Sequence, residues 1–108
     1  MKRKIYLVGP ITGLEKLNYP EFIMAQELLN ALGMDTVVPH DIFQGMDTSN
    51  FEHNDYMKHC IKEMVFCDTV VTLKDWELSK GAKMEVNIAR EMGMEVIHIV
   101  SFLAKYGK

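Results

Sequence analysis

Lys4-Ile5-Tyr6-Leu7-Val8-Gly9-Pro10 is a short apolar run closed by two residues that break regular structure. Its length, its β-branched members and its Gly-Pro stop read as a buried strand. Three later runs share that character: Thr36–Val38 before Pro39, Asp68–Leu73, and Glu95–Val100. Helical patterns fill the gaps. Pro20 suits a first helical turn, with Asn18 or Tyr19 as cap, and Phe22, Ala25, Leu28, Leu29 and Leu32 recur at helical spacing before Gly33. Asn54 or Asp55 caps a second helix running to about Phe66, and Gly81 to Met92 forms a third, closed by Gly93. Ser101–Lys108 is a tail with room for a short helix.

Strand and helix therefore alternate, which predicts a parallel sheet covered on both faces. Right-handed crossovers leave few topologies. The expected fold is α/β, a flavodoxin-like three-layer sandwich with four or five parallel strands in the order 2-1-3-4. Ligands in such sheets sit beyond the carboxyl ends of the strands. That rule nominates the loops Gly9–Leu17, Pro39–Phe51 and Lys74–Lys80. The stretch 40–52 is long for a plain connection, as functional or mobile loops are.

The 108 residues fit one domain, residues 1–108, with 48% hydrophobic and 25% charged residues. No apolar run approaches a membrane span, and the stretch after Met1-Lys2-Arg3-Lys4 is too short for a signal-peptide core. A soluble cytoplasmic protein with no membrane partner is expected. The net charge of −3, with basic residues scattered apart from Lys2-Arg3-Lys4, argues against duplex nucleic acid as partner. Cys60 and Cys67 are too few for a disulfide framework, and His40, His53, His59 and His98 are dispersed. No metal or other cofactor is expected. The nine methionines read as core filler.

The third helix carries the most informative residue. Stepping about 100° per residue from Ala82 puts Met84, Val86, Ile88, Ala89 and Met92 on one broad arc. Glu85 falls inside it, near the helix start and the site-bearing end of the sheet. A buried carboxylate is costly unless paired. Glu85 is either an edge-of-face residue favoured by the helix dipole or a catalytic or ligand-binding carboxylate. Ser79-Lys80-Gly81 before it reads as an N-cap or as an anion site. Gly9-Pro10-Ile11-Thr12-Gly13 is a plain turn or a backbone cradle, and Trp76 covers the core or stacks on a base. Taken together, these features point to a small nucleoside or nucleotide pocket.

The ordered set Ile5-Tyr6-Leu7-Val8-Gly9-Pro10-Ile11, Cys67-Asp68-Thr69-Val70-Val71 and Trp76-x-x-Ser79-x-Gly81-Ala82-x-x-Glu85-x-x-x-Ala89 resembles the nucleoside 2-deoxyribosyltransferase-like superfamily. It is most like the small phage and prophage branch, and is also similar to 2′-deoxynucleoside 5′-monophosphate N-hydrolases. The resemblance covers about residues 4–100. It implies a homodimer or homotetramer that cleaves or transfers at the N-glycosidic bond of deoxynucleosides or their 5′-monophosphates. It also implies Glu85 as nucleophile, oriented by Tyr6, with Gly9, Pro10, Ile11, Trp76, Ser79, Gly81 and Ala82 around the substrate. The family's Asp eight residues ahead of the strand-opening Asp is here Cys60, which leaves Asp55, Asp75 or His59 as substitutes. Asp68 itself reads as a structural residue at the strand start. Ser79 and Lys80 favour a 5′-nucleotide over a nucleoside. The alternative expectation is a catalytically weak protein that binds or sequesters a nucleotide.

Overall fold

The computed structural model describes residues 3–107. Met1 and Lys2 of the basic run and Lys108 of the tail lie outside the described residues. Strands and helices alternate as β1 (Lys4–Val8), α1 (Tyr19–Ala31), β2 (Asp35–Val37), α2 (His53–Met64), β3 (Thr69–Thr72), α3 (Lys80–Glu91), β4 (Glu95–His98) and α4 (Ile99–Tyr106). All neighbouring strands pair in parallel, in the expected order β2-β1-β3-β4.

Alternation along β1 explains the layers. Ile5 and Leu7 face one way and pack with Phe22, Ala25 and Leu29 of α1 and Phe102 of α4. Tyr6 and Val8 face the other way, toward Cys60 and Met64 of α2 and Val86 and Ala89 of α3. The result is a three-layer flavodoxin-like sandwich. Among the described residues, no helix is long and apolar enough to cross a membrane.

Several boundaries differ from the sequence reading. Val38 falls after β2 but is still buried. The loop after it opens with a 3-10 turn, Pro39–Phe43, because Pro39 presets φ and the Asp41 N–H bonds the Val38 carbonyl at 3.0 Å. The second helix starts earlier than expected, at His53, with Glu52 as its cap. Asp55 sits in the first turn, where its carboxylate accepts from the Glu52 N–H at 2.8 Å. The last strand ends at His98, whose Nδ1 accepts from the Val100 N–H at 3.2 Å and starts α4. Leu28 and Met92, both expected to be buried, are 50% and 62% exposed.

The end of the sheet opposite the nominated loops is tied by Arg3. Its guanidinium pairs with Glu95, donates to Thr69 Oγ1 at 3.1 Å and donates to Tyr106 Oη at 2.9 Å. Asp68 lies at this end too, where its carboxylate accepts from the Lys4 N–H at 2.9 Å. That contact fits the structural role read for it.

At the end that carries the nominated loops, Gly9 leaves β1 against the core. A Cβ there would stand 3.1 Å from Leu73 Cβ and 3.3 Å from Phe22 Cζ. Gly9→Ala is therefore expected to cost about 1–3 kcal/mol through overpacking. Urea unfolding measures it; an unchanged midpoint would show that the strand exit can shift to make room.

Candidate functional site

In a sheet ordered β2-β1-β3-β4, the loops after β1 and β3 diverge to opposite faces and leave a crevice between them. A cavity of about 930 Å³ opens there, with mainly apolar walls. The exit of β1 supplies Gly9, Pro10, Ile11 and Thr12. The 3-10 turn supplies Pro39, His40 and Phe43, and α2 supplies His53, Tyr56, Met57 and Cys60. Ser79 and Lys80, then Gly81, Ala82 and Glu85, come from the start of α3. A smaller cavity of about 420 Å³ lies at the β2 edge, with Gln26, Thr36, His59 and Lys62 among its walls; of the site residues nominated from the sequence only His59 lines it.

Glu85 is the chemical centre of the larger cavity. It is only 6% exposed, although it is an acid. The fully buried Tyr6 lies behind it, and Tyr6 Oη donates to Glu85 Oε2 at 2.7 Å. Burial pushes the Glu85 carboxyl up to about 7, against the Tyr6 hydrogen bond, which favours the ionised form. Burial, then the neighbouring Glu85 and Cys60, drives the Tyr6 phenol well above its ordinary value. Burial likewise lifts the Cys60 thiol to about 11. Near neutrality the trio therefore holds a phenol, a thiol and a carboxyl group close to its midpoint. The carboxylate, when it forms, is desolvated and held at one oxygen, as a nucleophile should be.

The start of α3 is capped locally. Ser79 has extended backbone, and its Oγ accepts from the Ala82 N–H at 3.2 Å. The hydroxyl hydrogen remains able to donate. Ser79→Ala is expected to cost about 1 kcal/mol by losing this cap, measured by thermal unfolding. An unchanged melting temperature would show that the bond carries no net stability. Gly81 permits close approach of α2: a Cβ there would stand 3.2 Å from Met57 Sδ and 3.5 Å from His53 Cε1.

The rim of the cavity is strained. Lys16, Leu17 and Asn18 adopt left-handed φ of 51°, 53° and 59°, each costly for a residue with a side chain. Two side-chain bonds hold the turn. Asn18 Nδ2 donates to the Pro10 carbonyl at 2.9 Å, and His40 Nε2 donates to the Leu17 carbonyl at 2.7 Å.

Gly9, Pro10, Ile11, Ser79, Gly81, Ala82 and Glu85, all nominated from the sequence, line this one cavity, and Tyr6 reaches it through Glu85. Trp76 does not line it. Its ring packs on the α2–α3 side of the core, with the Arg90 guanidinium 5.9 Å from the ring centroid, so the core-covering role fits and base stacking does not. Of the expected stand-ins for Cys60, Asp55 is held by its cap bond, and His59 stacks on Phe51 at 5.5 Å and lines the other cavity. Asp75 does reach the cavity wall. The sequence reading did not single out His40 or His53. The spacing of His53, Met57 and Cys60 on one helical stripe was available, but a helix placed to start at Asn54 or Asp55 cuts His53 off. His40 carried no such signal, because its contacts come from the distant Leu17.

A family model described as a domain of unknown function (DUF4406) matches residues 3–98. A comparison with curated proteins gives no match.

Proposed function

The chain belongs to the DUF4406 family, and we propose that it cleaves or transfers at the N-glycosidic bond of 2′-deoxynucleoside 5′-monophosphates or deoxynucleosides. The observation that carries this reading is the buried Glu85 carboxyl, held by Tyr6 Oη at 2.7 Å in the wall of a cavity large enough for a nucleotide. Glu85 attacks the anomeric carbon as the base departs, forming a glycosyl ester through an oxocarbenium-like transition state. Water or a second base then takes the sugar. The Ser79 hydroxyl, Lys80 and the free N–H groups at the start of α3 favour a 5′-phosphate. The mainly apolar walls suit a base and a deoxyribose. Leu14, Leu17 and Leu78 leave apolar surface exposed at the mouth, which supports a homodimer or homotetramer.

The test is chromatographic detection of free base after incubation with each deoxynucleoside and deoxynucleotide. Release by the native protein that vanishes in Glu85→Ala is the expected result. Release that persists in Glu85→Ala overturns the nucleophile. Cys60 favours a second reading, a protein that binds and sequesters a nucleotide without turning it over, because a thiol at about 11 does not replace a carboxyl group in proton transfer. Thermal stabilisation by a nucleotide with no base released from any substrate would select that reading.

A further inference from the structure

We infer that His53 gives the departing base its proton and later accepts one from the water that frees the sugar. The inference rests on the glycosidic-bond reading above and supplies the acid which that reading lacks.

Position is the first argument. His53 opens α2 and lines the cavity that holds Glu85. Its Cε1 lies 3.5 Å from where a Cβ on Gly81 would stand. Gly81 is one helical turn before Glu85 on α3, and helix side chains lean toward the N-terminus of their helix. The Glu85 side chain thus leans back toward the turn that the His53 imidazole covers. Gly81 lets the His53 ring lie against that turn without a clash, and both groups line the same cavity.

Elimination is the second argument. The Tyr6 hydroxyl is spent on Glu85. His40 is immobilised, with its Nε2–H on the Leu17 carbonyl, its ring between Tyr19 and Phe22 at 5.0 and 4.8 Å, and its Nδ1 buried. Asp75 and Lys80 lie in exposed positions. His53 is exposed as well, but it reaches over Gly81. Imidazole is also the side chain suited to both holding and giving up a proton near neutral pH.

The step balances. As the Glu85 oxygen bonds C1′, the C1′–N electron pair goes to the base, and the imidazolium proton neutralises it. Neutral His53 then takes a proton from water as the hydroxide bonds C1′, the ester opens, and Glu85 returns as carboxylate.

The test compares two substrates in His53→Gln. With an ordinary purine deoxynucleotide, kcat is expected to fall about 100-fold with little change in KM. With the N7-methylated guanine deoxynucleotide, whose base leaves neutral without taking a proton, the rate of base release in the first turnover is expected to stay at the native level, whereas with the ordinary purine deoxynucleotide that rate falls. Equal loss of first-turnover base release on both substrates, or loss on neither, overturns the role of His53. In that case Glu85→Gln, inactive on both, leaves the glycosidic reading standing. If the native protein releases base from no deoxynucleoside or deoxynucleotide, the glycosidic reading fails and this inference fails with it. An unchanged melting temperature in His53→Gln shows that the loss is not one of folding.

Discussion

Glu85→Gln is expected to stabilise the protein by about 2–3 kcal/mol at pH 8 and to give no gain at pH 4. The folded protein holds the Glu85 carboxyl at about 7, whereas its ordinary value is 4.5. Between those values the folded chain keeps a proton that the unfolded chain has released. Native stability therefore falls as pH rises from about 4.5 to about 7, and the cost is complete above that range. The difference corresponds to about 3 kcal/mol, trimmed by the amide hydrogens that Gln must bury. For a chain of this size the gain at pH 8 amounts to about 10 °C in melting temperature. Thermal unfolding at the two pH values checks it. An equal gain at both would mean that shape, not charge, makes Glu85 costly. On the proposed reading the same substitution removes the nucleophile, so stability should rise as base release disappears. That exchange is characteristic of a group kept for chemistry rather than for the fold.

Tyr6→Phe should act in the opposite direction on the same carboxyl. The hydroxyl donates one charge-assisted hydrogen bond to a carboxylate with little water around it. Such a bond is worth about 1.5–3 kcal/mol. Without it, Glu85 ionises at a pH well above 7. At pH 7 base release is expected to fall by about 10- to 100-fold, and the rising limb of the pH–rate profile should move upward by about 1–2 pH values. Stability at pH 8 should drop by about 1–3 kcal/mol, with less loss at pH 4, where the carboxyl is protonated in both proteins. A rising limb that stays in place would separate Tyr6 from the ionisation of Glu85.

The sheet was legible because each strand is a short apolar run with a clear stop. Gly9-Pro10 after β1 and Pro39 after β2 mark where the chain turns, and alternation with helices leaves few orders for the strands. Glu85 was legible for a different reason. The α3 helix is strongly amphipathic, so an acid on its apolar arc stands out. No such contrast exists on α1, where apolar residues lie all round and the sequence cannot say that Leu29 is buried while Leu28 is half exposed. Glu95–Val100 reads as a single strand because the switch at His98 is made by a side-chain cap in an otherwise apolar run. The α2 wall of the cavity was obscured at its first residue. Asn54 and Asp55 look like caps, yet Glu52 takes that position and brings His53 into the helix. Trp76 shows the converse limit. A lone aromatic in a loop beside the site has no periodicity to say which way it points, and here it points to the core.

The covalent step is the most direct test of the whole account. The native protein and Glu85→Gln are each mixed with a 2′-deoxynucleoside 5′-monophosphate, quenched in acid within the first turnover and weighed intact by mass spectrometry. The native protein should gain the mass of one 2-deoxyribosyl 5-phosphate, on the peptide that contains Glu85, with one base released per chain. Base release with no adduct, or an adduct on a peptide without Glu85, would contradict Glu85 as the nucleophile.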